Sequence, residues 1–259
     1  MDRHTEVRRL SQALHKSPAE LGYLDELDGE ALYRLRLQLQ NRIIDEFAHL
    51  FERMASSSRI APDSLSVLLC KKVFGPTLTA NMGYFIPVPK VIKLMKHFEP
   101  GFVAEVTRHV VPERSIELLE GIPVEMMVEV TRQLLAEREY AVMGGFTDHM
   151  PEAKVLTLMG EIEEPIDCLR VSSFAQNKAR IAKLTLSFEE GFLAELIHAA
   201  FTSDELIEEV GLITAQMGEA DQQRMAILTD SLDPAYRKQA RKLAKKLGTE
   251  TALQAYFTA

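Results

Sequence analysis

Four carboxylates fall within seven residues of this chain: Glu161, Glu163, Glu164 and Asp167 in the run EIEEPID. Oxygen ligands so dense suit a hard cation such as magnesium. The plainer reading of the run is a solvated helix start, where negative charge meets the positive end of the helix dipole. Seven histidines (His4, His15, His49, His97, His109, His149 and His198) are scattered, with no HExxH and no close pair to grip zinc. His97, His109 and His149 stand near expected helix ends, where a cation meets the last carbonyls. Cys70 has Lys71 and Lys72 beside it, which would lower a thiol pKa, but its place beside an apolar helix face reads as a small buried hydrophobe. Cys168 reads the same way. Gly144-Gly145 lacks the spacing of a phosphate loop and reads as a hinge or a tight helix junction. No serine sits in a GxSxG elbow. No catalytic constellation and no cofactor site emerges, and no set of metal ligands is assigned.

The elements that must position these groups are helices. The chain has 259 residues, 46% hydrophobic and 26% charged, which suggests one large domain or two modest ones. The start MDRHTEVRRLSQ lacks the apolar run of a secretory signal, and no window approaches the ~20 apolar residues of a membrane span. Two cysteines without an export signal lead to the expectation of a cytoplasmic protein with reduced thiols. A net charge of −8 argues against a nucleic-acid partner. From Glu189 to Asp230, ten acids stand against one base, Arg224. Six bases then follow in DPAYRKQARKLAKKLG: Arg237, Lys238, Arg241, Lys242, Lys245 and Lys246. Such blocks pair within a molecule or between molecules.

Strand signals are scarce and helix signals abundant. Ser17-Pro18-Ala19-Glu20 reads as an N-cap, an N1 proline and a capping-box glutamate. From Asp28 to about Met54, Leu32, Leu35, Leu39, Ile43, Phe47 and Phe51 recur at helical spacing and predict one long amphipathic helix. Pro62 opens a further helix that Phe74-Gly75-Pro76 ends. Pro89, Pro100, Pro112 and Pro123 then follow at intervals of 11, 12 and 11 residues. A proline costs about 3 kcal/mol inside a helix and nothing at its first position, so each opens a short helix of its own. Helices of two or three turns are unstable alone and must pack side by side.

Self-comparison gives the period. Glu105-Val106-Thr107-Arg108 returns as Glu129-Val130-Thr131-Arg132, a shift of 24, and Leu94, Met95 and Phe98 map onto Leu118, Leu119 and Ile122. A third copy places Val142, Met143 and Phe146 at 24, while Val155 and Met159 need 25. A degenerate pair spans Glu163 to Phe188. A fixed period of this size marks a repeat architecture whose hairpins bury their apolar faces on one another. Val106 with Val130, and Leu94 with Leu118, are predicted to be equivalent buried positions. After Ala200, Thr202-Ser203-Asp204-Glu205 caps an acidic helix, Gly218 interrupts, and Asp233-Pro234 caps the basic helix, which ends near Gly248. Thr249 onward adds one short turn. The apolar run Tyr84-Phe85-Ile86-Pro87-Val88-Pro89 reads as a seal on the end of the repeat core or, if exposed, as an interaction anchor. The basic helix reads as a cover on the last repeat, with Tyr236, Ala240, Leu243, Ala244 and Leu247 inward; binding an acidic partner or an anionic lipid surface is the alternative.

The phrase VPERSIELLEGIPVEMMVEVTRQLL, residues 111 to 135, resembles the Pro-x-x-x-(apolar)-x-x-Leu helical repeats in the cytoplasmic N-terminal domain of MgtE-type magnesium transporters. It is also similar to the helical units of flagellar motor switch proteins. The resemblance covers roughly Pro87 to Phe201. It implies a right-handed superhelix of short helices that makes contacts rather than performing chemistry. In those transporters acidic residues of the domain help to hold magnesium. This chain lacks the transporter's membrane helices and partner module and adds a helical N-terminal region, and no metal residue is carried over.

The expected architecture is all-α: an N-terminal helical cap over 1–60, a right-handed superhelix (α-solenoid) of short helical hairpins over 61–201 and a C-terminal helical segment over 202–259. The expected function is a non-enzymatic scaffold or adaptor that holds a protein partner along the repeat surface. The alternatives are a magnesium-responsive regulatory protein with weak Mg2+ binding and an enzyme with an unrecognised site. Assembly into a homo-oligomer is left open.

Overall fold

The computed structural model describes residues 3–14, 16–203 and 206–259, with all their side chains but those of Gln12, Ile43, Ser58, Arg59 and Ile60. His15, residues 204–205 of the expected acidic cap and the Ile43 side chain lie outside the described residues. Every regular element among the described residues is helical, and none is a strand. No helix among them is long and apolar enough to cross a membrane. The chain divides into two compact units, Met1–Glu161 and Ile162–Ala259. The boundary thus falls inside the segment 61–201.

Unit one opens with α1 (Arg3–Ala13), a 3₁₀ helix (Pro18–Leu24), α2 (Gly29–Glu46) and α3 (Ala48–Ile60). Glu20 reaches back to the Ser17 N–H at 2.9 Å, closing the predicted capping box on the 3₁₀ helix. The single long helix expected over Asp28–Met54 is two. Phe47 (φ −105°, ψ 14°) leaves helical geometry between α2 and α3, and its ring is exposed. The inward face of α2 also differs from the expected leucine stripe. Leu32, Arg36 and Ile44 are buried, while Leu39 is 40% exposed. An arginine takes a core position there because a buried carboxylate receives it.

Next come α4 (Asp63–Leu69), a π turn (Cys70–Phe74), α5 (Gly75–Gly83), α6 (Val88–Met95) and α7 (Pro100–Thr107). Gly75, at φ 68°, takes the left-handed conformation that lets the chain leave the π turn. A 3₁₀ turn (Pro112–Arg114), α8 (Ile116–Gly121), α9 (Val124–Ala136), α10 (Tyr140–Thr147) and α11 (Glu152–Met159) complete the unit. Pro100 opens its helix at the first position as expected, but Pro89 is the second residue of α6 and Pro123 stands one residue before α9. Pro112 opens only the 3₁₀ turn.

Helices pack on their second neighbours: α3 on α5, α5 on α7, α7 on α9 and α9 on α11 in one series, α4 on α6 and α6 on α8 in the other. Leu119, Ile122, Met127, Phe146 and Leu158 form a core across these series. The 24-residue period reaches the packing, since α7 and α9 begin 24 residues apart. Between α7 and α9, however, the pair buried in both copies is Val103 with Met127. Val106 and Val130 are both only half-buried. On α9 the buried stripe runs through Met127, Thr131 and Leu134, which leaves Val130 at its edge. Leu94 is buried as expected, but the buried residue in the next copy is Leu119, with Leu118 half-buried.

Unit two contains α12 (Pro165–Ser173), α13 (Lys178–Thr185), α14 (Glu190–Phe201), α15 (Ile207–Thr214), α16 (Glu219–Leu232), α17 (Pro234–Leu247) and α18 (Gln254–Thr258). Second-neighbour packing returns: α12 on α14, α14 on α16 and α16 on α18, with α13 on α15 and α15 on α17. Asp233 caps α17 by accepting the Ala235 N–H at 2.8 Å, and Gly248 ends it at φ 69°.

Candidate interaction surfaces

The groups able to do chemistry are held apart or already engaged. Glu161 is bound by Arg132 at 2.8 Å and Asp167 by Arg170 at 3.1 Å, while Glu163 and Glu164 are exposed. Among the described residues no three of histidine, cysteine, aspartate and glutamate converge as a metal-binding set. His97, His109 and His149 each stand two residues past the end of α6, α7 and α10, with their backbone N–H groups closing the last turns. His198 meets the Tyr236 hydroxyl at 2.9 Å. Both cysteines are buried free thiols. Burial raises the Cys70 pKa, with the Thr79 hydroxyl partly opposing it. Burial pushes Cys168 up to about 12, and Asp167 adds to it. Neither thiol is poised as a nucleophile. Gly144 and Gly145 lie buried within α10 rather than at a hinge, and the Gly144 carbonyl accepts a 3.4 Å hydrogen bond from Arg9.

Sequence reasoning missed the buried ionic network of unit one. Arg36 donates Nε to Glu6 at 2.8 Å, Nη2 to Glu113 at 3.0 Å and Nη1 to Gln40 at 2.8 Å. Arg9 reaches Asp148 at 2.8 Å and lies 3.7 Å from Glu6. Glu6 is fully buried, and Arg9 and Arg36 nearly so. These charges tie α1 and α2 to the 3₁₀ turn at Pro112 and to the end of α10. The available signal was Arg36 itself, four residues after Leu32 on the inner face of α2. A second cation closes a helix end: the Lys154 ammonium donates to the carbonyls of Leu119, Glu120 and Ile122 at 2.8, 2.7 and 2.6 Å. Two of these carbonyls are among the last four of α8, which a helix leaves open, and the third belongs to Ile122, the residue just past it.

The apolar hexapeptide after α5 is packed in part within unit one: Tyr84, Phe85, Ile86 and Val88 are half-buried, while Pro87 and Pro89 are exposed. Tyr84 accepts the Val111 N–H at 2.7 Å, and the Phe85 ring stacks on Phe51 with centroids 6.2 Å apart. In unit two the basic helix turns its apolar side inward. Leu243, Ala244 and Leu247 face Ile197, Phe201 and Ile207 across an apolar pocket, and Tyr236 stacks on Phe201 at 4.5 Å. Among the described residues the acid and base blocks meet here through Lys246 with Glu208 at 2.6 Å and Arg237 with Asp230 at 3.0 Å. The C-terminal turn is fastened beside it. Gln222 donates to the Ala252 carbonyl at 2.8 Å and accepts the Tyr256 N–H at 3.2 Å, while the Tyr256 hydroxyl donates to Thr229 at 3.0 Å. Burial raises the Tyr256 pKa, so the hydroxyl remains a donor.

Two exposed faces stand out among the described residues. On α17, Lys238, Lys242 and Lys245 point to solvent at helical spacing. On α4 and its π turn, Leu65, Leu68 and Val73 are 45%, 54% and 66% exposed. Around them Asp63 is held by both Lys90 and Lys93, whose hydrogen bonds bring its pKa down to about 2. No protein-family model, curated protein or solved structure matches this chain.

Proposed function

We propose that the chain is a non-enzymatic adaptor that holds a protein partner along a right-handed superhelix of short helical hairpins, related in kind to the N-terminal domain of MgtE-type transporters. The observation that carries this reading is the second-neighbour packing within each unit, in which alternate helices form two series. Stacked hairpins of this type generate long continuous surfaces without a catalytic centre. The exposed apolar and basic faces on α4 and α17 supply contact chemistry, while the two cysteine thiols are buried. A magnesium-responsive role ranks lower because Arg132 and Arg170 already engage two of the four carboxylates of EIEEPID.

The test is affinity purification of the tagged full-length chain, followed by reconstitution of each enriched protein with the purified chain. An adaptor forms a stoichiometric complex that survives gel filtration and is lost on charge reversal at one exposed face. Substrate turnover by the purified chain, or a conformational change at physiological magnesium, overturns the reading.

A further inference from the structure

Resting on the adaptor reading, we propose that the outward face of α4 and its π turn is the docking site for an amphipathic helix of a partner protein, one with an apolar stripe flanked by acidic residues. Leu65 and Leu68, one helical turn apart, and Val73 in the π turn leave three large apolar side chains in water. An amphipathic helix of a partner buries its apolar stripe against exposed apolar side chains of this kind. π turns are uncommon and recur at functional sites, and this one lies where the exposed residues are.

The charge around the patch selects the partner. Between Ala61 and Glu99 stand five lysines (Lys71, Lys72, Lys90, Lys93 and Lys96) against Asp63 and Glu99, a local net of +3 in a chain of −8. Asp63 shares two lysines and Glu99 binds Lys71 at 2.5 Å, so both acids are already neutralised. The surplus sits on the exposed Lys72, Lys93 and Lys96. Two copies pairing face to face would set +3 against +3, which disfavours a symmetric dimer here. An anionic bilayer is disfavoured as well, because membrane-binding clusters carry about 4–8 uncompensated bases and this patch includes two carboxylates. A helix with acidic flanks satisfies both the apolar centre and the lysine rim.

Fluorescence anisotropy with three synthetic helical peptides tests this. Each has about 18 residues, or five turns, with the same leucine stripe but glutamate, glutamine or lysine flanks. The Glu-flanked peptide should bind the full-length chain at least about tenfold more tightly than the Lys-flanked one. Leu68→Glu should weaken it at least about tenfold, and Lys72→Glu about threefold with a shallower salt dependence. Both positions are exposed, so unchanged circular dichroism is expected for either variant. Equal binding of the three peptides, or an unaffected Leu68→Glu variant, overturns the proposal. So does flotation with phosphatidylserine vesicles that Lys72→Glu abolishes, or self-association that Leu68→Glu abolishes. A co-purifying partner that still binds Leu68→Glu would refute this face while leaving the adaptor reading standing. Peptide discrimination without any co-purifying partner would do the reverse.

Discussion

Replacing Arg36 with methionine probes the ionic network that fastens the first two helices of unit one. Methionine fills much of the arginine stem but supplies none of its donors. The change removes four hydrogen bonds, two to Glu6 at 2.8 and 3.4 Å and one each to Glu113 at 3.0 Å and Gln40 at 2.8 Å. It leaves the fully buried Glu6 with Arg9 at 3.7 Å as its nearby cation, while Arg9 also serves Asp148. Breaking one side of a buried pair costs about 3–5 kcal/mol, because the remaining charge stays desolvated. A domain of this size shifts its melting temperature by roughly 2–4 °C per kcal/mol, so unit one should melt about 6–20 °C lower. Differential scanning calorimetry reads this directly. A second transition that stays in place would identify unit two, whose residues the network does not include. Arg36→Met combined with Glu6→Met should recover much of the loss, since an apolar replacement of a whole buried pair is often close to neutral. A single Arg36→Met variant that loses less than about 1 kcal/mol would show the network to be solvated, and the reasoning would fail.

Met127→Asp should cost several kcal/mol, about 3 or more, whereas Val130→Asp at the stripe edge should cost about 1, both read by urea denaturation. A larger loss at Val130 would mean that the register of α9 is wrong. Asp63 should titrate near pH 2 in an NMR pH series of the full-length chain. Because its folded pKa lies below its unfolded one, its contribution to stability is present above about pH 4 and is lost as the pH falls towards 2. Lys90→Met with Lys93→Met should return it towards ordinary carboxylate values. Truncation after Asp233 removes α17 and α18, strips the cover from Ile197, Phe201 and Ile207, and should lower the melting temperature of unit two and cause self-association. A truncated chain that is monomeric and equally stable in analytical ultracentrifugation refutes that account.

The helices, their period and many of their ends were legible because prolines, glycines and caps act within a few residues. Pro100 opening α7, Asp233 capping α17 and Gly248 ending it are all local events. What escaped the sequence depends on distant partners. Arg36 lies inward because Glu6, thirty positions earlier in the chain, accepts its proton donors. Leu39 on the same helix is left 40% exposed, so counting apolar residues misplaces the face of α2. Lys154 looks like an ordinary surface lysine until the open carbonyls of α8 are placed beside it. The inward side of α17 was readable from Leu243 and Leu247 at helical spacing, whereas the Gln222 and Tyr256 contacts that fasten the C-terminal turn join residues 27 to 34 apart. The exposed leucines of α4 carry no signal of their own in sequence, since they continue the same periodicity as the buried ones.

The bond from Arg9 to Asp148 spans 139 residues, which sets a timetable for the newborn chain. At roughly 5–20 residues per second, α1 leaves the ribosome about 7–28 seconds before its partner on α10 has been made. A leucine-rich first helix would spend that interval as an aggregation hazard. This one waits with Glu6, Arg8 and Arg9 among its residues, charges that keep it compatible with water until Arg36, Glu113 and Asp148 arrive. The buried charges that look costly in the finished fold therefore protect the unfinished one. Synthesis slow enough to expose an apolar variant of α1, such as Glu6→Leu with Arg9→Leu, should deplete soluble protein even where the folded form is equally stable.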